Sequence, residues 1–189
     1  MLGSHNSWSY LKPKKWWMKI LGFTAKCQSA DIREQYELHG VRCFDLRVKF
    51  NGDVPQVAHG LIEYDYTHTQ LFADLDYLNS KGDVVVRVLH EARNLQAIRD
   101  RGKFFEFCSG LEKDWTEIKF WCGRNLFNWT EDYQFQYNPS CEEKYASVCV
   151  PKFIDDWWPW LFARRNNRKI LEAGTTCDIL LIDFVNIRS

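Results

Sequence analysis

Strand-like and helix-like stretches alternate along this chain, and no other feature limits the fold as much. The clearest piece runs from Asp83 to Glu91, where Val84-Val85-Val86-Arg87-Val88-Leu89 reads as a buried strand. Tyr66 to Ser80 before it reads as a helix, with Leu71, Phe72, Leu75 and Leu78 on one side. Leu2 to His5 reads as a short first strand, and Asp31 to His39 as a helix stopped by Gly40. Val41 to Val48 is the second strand and Val57 to Leu61 the third. Downstream, Leu95 to Leu111 reads as a helix, Ile118 to Cys122 and Gln134 to Tyr137 as strands. Phe153 to Arg168 reads as a helix interrupted by Pro159, and Asp178 to Asn186 as the last strand. Such alternation predicts an α/β fold with a mainly parallel sheet. A complete eight-fold barrel takes about 250 residues, with about 200 near the lower end. At 189 residues, the expectation is a compact, imperfect (β/α)8 barrel. No repeat, low-complexity tract or linker divides the chain, so one domain is expected over 1–189.

Around the second strand the sequence carries chemistry. His5 sits in Gly3-Ser4-His5-Asn6-Ser7, and His59-Gly60 follows the strand Gly40-Val41-Arg42-Cys43-Phe44-Asp45-Leu46-Arg47-Val48. Side chains alternate along a strand, so Val41, Cys43, Asp45 and Arg47 share one face. A carboxylate and a guanidinium then stand side by side with a histidine on either flank. Two histidines and an arginine suffice for phosphodiester cleavage without a metal. One imidazole takes a proton from the attacking oxygen, the other protonates the leaving oxygen, and Arg47 holds the charge growing on phosphorus.

Composition narrows the partners. Lysine plus arginine equals aspartate plus glutamate at 25 each, so no broad field draws nucleic acid and any anion must be recognised locally. Seven cysteines are an odd number, widely spaced and without a C-x-x-C pair. Neither a complete disulfide framework nor a zinc site is expected from that spacing, and buried free thiols in a reducing compartment are the plain reading. No apolar run approaches the roughly 20 residues that span a bilayer. The expected location is the cytoplasm or a membrane surface, or outside the cell if a leader has been removed.

The order Gly-Ser-His-Asn-Ser, then Gln28 to Gly40, then Gly-Val-Arg-x-Phe-Asp-Leu-Arg-Val, then His-Gly-Leu resembles the phosphatidylinositol-specific phospholipase C X-domain family. The likeness is nearest to its bacterial and small X-domain-only members. It is strong over residues 1 to about 91, recognisable over 178 to 186, and faint between. The resemblance implies a distorted barrel that cleaves an inositol phospholipid into diacylglycerol and an inositol phosphate, with inositol 1,2-cyclic phosphate formed first. By the same likeness His5 is the general base and His59 the general acid. Asp183, on the last strand, orients the first histidine. Calcium-dependent members carry Glu-x-Asp on the second strand and an asparagine after the first histidine. Here that strand reads Asp45-Leu46-Arg47, and a cation at the second acidic position repels calcium. Asn6 fits the calcium pattern, which makes calcium, through Asn6 and Asp45, the runner-up to a metal-independent enzyme.

Other residues have a site reading and a plainer one. Arg87 and Glu91 are an inward pair near the headgroup, or a salt bridge at the barrel end. Arg124 stands where relatives place an inositol-contacting arginine. His90 points to the opposite face and is structural. If helical after Pro13, the stretch to Phe23 puts Trp16, Trp17, Ile20 and Leu21 on one side and Lys15 and Lys19 on another, which suits a membrane surface. Its plainer reading is a helix packed over the barrel mouth. Trp157-Trp158-Pro159-Trp160 is either a second rim element or a core helix. A monomer is expected. The competing functions are a magnesium-dependent glycerophosphodiesterase-like barrel, which wants acidic residues where Arg47 stands, and a non-catalytic headgroup-binding domain.

Overall fold

A computed structural model describes residues 1–91, 94–124, 135–137, 158–173 and 179–187. Six parallel strands form its frame: β1 (Leu2–Ser4), β2 (Cys43–Asn51), β5 (Val84–His90), β6 (Ile118–Arg124), β7 (Phe135–Tyr137) and β8 (Ile179–Ile182). They are ordered β6-β5-β2-β1-β8-β7. The arc is open between β6 and β7 among the described residues, so the imperfect (β/α)8 barrel expected from the sequence is not closed there.

Two departures from parallel order matter for the site. β3 (Val54–His59) runs antiparallel to the far half of β2, pairing Val48 with Val57 and Asn51 with Val54. β4 (Ile62–Glu63) runs antiparallel to β3. The third strand therefore starts earlier than its valines suggest and belongs to a hairpin. Its turn is Gly52-Asp53, with Gly52 at φ +65°, the first central position where a two-residue turn calls for glycine.

Period-two alternation sorts each strand into two layers. Phe44, Leu46 and Val48 of β2, Val84, Val86 and Val88 of β5, and Leu180 and Ile182 of β8 join the large core on one side of the sheet. Cys43, Val85, Ile179 and Leu181 form a second apolar cluster on the other side. Gly3 belongs to that inner layer: a Cβ there would meet Leu181 Cδ2 at 2.5 Å and Cys43 Cβ at 3.1 Å, so a larger residue would crowd both neighbours. Further toward the carboxyl ends of the strands the same inner face turns polar, and the site begins.

Helices cover the outer layer. α2 (Ile32–Glu37) starts with a reciprocal cap between Asp31 and Glu34, and α3 (His68–Asn79) with one between Thr67 and Gln70. The single helix expected over 95–111 is two, α4 (Asn94–Arg99) and α5 (Arg101–Asp114). They break at Asp100, whose φ −92° and ψ 10° leave the helical region; aspartate and the nearby Gly102 are poor helix formers. α6 (Pro159–Ala173) opens at Pro159 and is not interrupted by it, as suits a residue with no N–H to give; residues 153–157 of that expected helix lie outside the described part. His90 points to the outer layer, stacked on Phe104 with ring centroids 5.2 Å apart, as expected. Cys27, Cys43, Cys108 and Cys122 are free thiols; positions 141, 149 and 177 lie outside the described residues.

Candidate active site

The parallel strands end at one mouth, the usual place for a site in α/β sheets. His5 follows β1, Asp183 follows β8, and Asp45 and Arg47 project from β2 in the inward layer. Asp183 continues the inward phase of Ile179 and Leu181, one residue beyond the strand on which it was expected. In-register pairing of Asp45 with Arg87 across β2 and β5 brings those two side chains together.

A continuous chain of polar contacts results. His5 Nδ1 lies 2.7 Å from Asp183 Oδ1. On the ring's other side Arg47 Nη2 donates to His5 Nε2 at 2.6 Å. An arginine can only donate, so Nε2 carries the lone pair and Nδ1 the proton given to Asp183. Arg47 Nε reaches Asp45 Oδ2 at 2.9 Å and its Nη1 reaches Glu91 Oε2 at 3.3 Å. Arg87 Nη1 stands 3.6 Å from Asp45 Oδ1, and the Asn6 N–H donates to Asp45 Oδ2 at 2.9 Å. Both Arg87 and Glu91 thus lie in the cluster, each in an ion pair with a residue of β2. Neither atom of the buried Asn6 amide completes a hydrogen bond, although Tyr64 lies beside it. Arg124 ends β6 in register with His90; its side chain lies outside the described part.

His59 arrives from the β3 hairpin. Its Nδ1 donates to the Ala25 carbonyl at 2.9 Å, which leaves Nε2 available. The His5 and His59 rings stand edge to face with centroids 5.6 Å apart. Gly60, at φ +57°, turns the chain after His59 so that its N–H meets Glu91 Oε1 at 3.1 Å.

Burial and charge set the protonation states. Burial, helped by Arg47 and opposed by Asp183, pushes the His5 imidazole down to about 3. Burial and then Arg47 also lower His59, against Glu91. Burial pushes the Asp45 carboxyl up, but Arg47, Arg87 and the Asn6 N–H outweigh it and hold the group below the usual range. Both rings are therefore neutral near pH 7, and Asp45 is ionised.

Several groups around the site were given no role of their own by the sequence. Gln28 is fully buried where β1 meets β8: its Nε2 donates to the carbonyls of His5 and Ile182, and its Oε1 accepts from Val185 N–H. Asn167 of α6 donates to the carbonyls of Asp183 and Phe184. Ser7 Oγ accepts from Asp45 N–H at 2.7 Å. Cys27 brings a thiol 3.9 Å from His59 Nδ1. Each of these contacts spans many residues of sequence and follows no local period.

At the rim, α1 (Trp16–Ala25) buries only Met18 and Ala25. Trp16 is 73 % and Ile20 64 % exposed, with Trp17, Leu21 and Phe23 also reaching solvent. Trp158 is exposed too and meets Phe23 edge to face at 5.5 Å. Trp157 lies outside the described residues. Among the described residues no helix is long and apolar enough to cross a membrane.

No family model matches the chain, and neither does any curated protein. Among solved structures it is similar to the phosphatidylinositol-specific phospholipase C from Listeria monocytogenes. That likeness covers 100 % of this chain and 89 % of the other, with a TM-score of 0.61 at 14 % identity. The fold is accordingly phospholipase C-like and α/β.

Proposed function

We propose that the chain is a phosphodiesterase of the phosphatidylinositol-specific phospholipase C type, related to the X-domain family, with its open arc part of an imperfect barrel formed by one domain. Its substrate is an inositol phospholipid, split to diacylglycerol and inositol 1,2-cyclic phosphate. The observation that carries this reading is the Asp183–His5–Arg47 chain facing a second ring, His59, across 5.6 Å between centroids.

The chemistry follows from the contacts. A phosphate entering the mouth draws Arg47 off His5 Nε2, while Asp45 and Glu91 keep the guanidinium in place. The freed Nε2 takes the proton of the inositol 2-hydroxyl, and Asp183 stabilises the imidazolium. Attack of that oxygen on phosphorus is intramolecular, which removes much of the entropic barrier. Arg47 lies where charge develops on the phosphoryl oxygens. His59 Nε2 gives its proton to the departing glycerol oxygen. Arg47 depresses the proton affinity of His59 in the free site. An anionic phosphate offsets that field, so substrate binding itself favours the charged acid.

Calcium does not fit the residues present. Asp45, its expected carboxylate, is already shared by Arg47 and Arg87, whereas calcium takes about six to eight oxygens. The same two guanidinium groups disfavour a magnesium-dependent glycerophosphodiesterase. A domain that only bound headgroups has no use for an orienting carboxylate behind His5. α1 supports peripheral contact with a membrane, and the balanced charge supports no role in nucleic-acid binding; we take the working form to be a monomer.

Phosphatidylinositol vesicles, incubated with the protein with and without chelator and followed by phosphorus resonance, test the reading. The cyclic product should appear in both arms, and His5→Ala and His59→Ala should each abolish it with the fold intact. Turnover that required added calcium or magnesium would overturn the mechanism.

A further inference from the structure

The mechanism leaves one buried group at the mouth unused, the thiol of Cys27. One ring nitrogen from each of His5 and His59 and the Cys27 sulfur all lie within 4.8 Å of one another. We propose that these three side chains form a binding site for a zinc-class transition-metal ion, and, resting on the phosphodiesterase reading, that the bound ion switches the enzyme off by engaging both imidazoles.

The donor set selects the ion. Two imidazoles and a thiolate suit zinc, cobalt or copper, not calcium or magnesium, which demand oxygen. Three protein ligands leave a fourth position for water, the pattern of an open zinc site. Zinc bond lengths of about 2.0–2.3 Å require the side chains to draw these donors closer together on binding. The Cys27 backbone is held on both sides: its N–H donates to Ser9 Oγ at 2.9 Å, and its carbonyl accepts from Phe184 N–H at 2.6 Å. Oxygen acceptors also stand beside both rings, Asp183 at His5 and the Ala25 carbonyl at His59, which are the outer partners that histidine ligands use.

Charge and protons are consistent with this. Arg47 is the one obstacle, because it donates to His5 Nε2, but its bonds to Asp45 and Glu91 hold it when that contact is given up. The carboxyl groups of Asp45, Glu91 and Asp183 face the guanidinium groups of Arg47 and Arg87, so a cation enters a site that is not net positive. Burial and then Asp183 raise the Cys27 thiol, so the metal must displace its proton to solvent. No electron is transferred. The sequence concealed this site because its donors come from the end of β1, the segment after α1 and the end of a hairpin.

Cobalt(II) titrated into the full-length protein tests the site without reference to activity. The expected result is a thiolate-to-cobalt charge-transfer band that zinc erases and that Cys27→Ser lacks. The same spectrum in native and Cys27→Ser protein would overturn the proposal. Should Cys27→Ser or Cys27→Ala fail to fold, long-range proton–nitrogen spectra of the native chain decide: zinc must shift the ring nitrogens of His5 and His59 together, and a shift of neither defeats the site. Zinc should stop phosphatidylinositol turnover, chelator should restore it, and Cys27→Ser should lose zinc sensitivity by more than the roughly 10–100-fold that loss of an outer partner costs. A cobalt band without any turnover leaves the metal site standing and removes the phosphodiesterase reading; turnover without the band does the reverse.

Discussion

His5, Asp45 and Asp183 are almost wholly withdrawn from water, whereas Trp16 and Ile20 on α1 stand mostly in it. The two regions belong to the same mouth, yet they reverse the distribution expected of a globular surface. Burying charge is costly unless every group is paired, and here the guanidinium of Arg47 touches three different partners. Leaving tryptophan exposed is equally uneconomical in water, but not against a lipid headgroup layer. On the proposed function, the comparison teaches that the inner mouth suits a single anion and the rim a surface that delivers it.

The largest effect should come from removing the base. His5→Ala is expected to lower kcat by roughly 10²–10⁴-fold, read in vesicle turnover, with circular dichroism unchanged. Arg47→Met should cost roughly 10²–10³-fold by removing charge stabilisation. If Arg47→Met instead retained native kcat and raised only KM, the arginine would belong to binding alone.

Gln28→Ala separates positioning from chemistry. It strands the carbonyls of His5 and Ile182 and the Val185 N–H, at about 1–3 kcal/mol in total stability. Thermal unfolding should fall by several degrees and kcat should drop, while Gln28→Glu should not restore both. A fall in stability with kcat untouched would show that this bridge holds the strands but not the dyad.

Acid tests whether His5 is truly held neutral. In the unfolded chain the ring takes a proton near 6.5, but in the fold only near 3. The unfolded state therefore binds the extra proton between those values, and native stability declines as pH falls from about 6.5 toward 3. Denaturant midpoints across that window should fall more gently in His5→Gln than in the native chain; equal slopes would contradict the burial of a neutral ring.

At the rim the effects should be smallest and confined to lipid. Trp16→Ser with Ile20→Ser should weaken sedimentation with vesicles several-fold and leave cleavage of a short-chain, monomeric substrate unchanged. Equal loss on both substrates would make α1 part of the mouth and erase the contrast between the two regions.

What could be read from the sequence was what obeys a local period. The valine run of β5 and the Asp45–Arg47 alternation lie within single strands, and the structure places both where period two puts them. The exposed side of α1 was legible for the same reason. What stayed hidden depends on contacts between distant segments: Gln28 beneath His5, Asn167 behind Asp183, Cys27 beside His59. The antiparallel course of β3 was hidden differently, since its Gly52 turn was present but the valines after it drew the strand too late. Closure of the arc depends on pairings between β6 and β7 that the described residues do not make.

The hairpin that carries His59 gives the molecule a division of labour. On the proposed mechanism, the base and its orienting carboxylate are rooted in the parallel frame, while the acid sits on an arm that pairs with the far half of β2 and with the short β4. Lengthening or re-angling that arm would aim the proton donor at a leaving group of another shape and leave the nucleophile's half of the reaction as it is. The scaffold is thereby open to retuning for new alcohols through one short excursion of the chain.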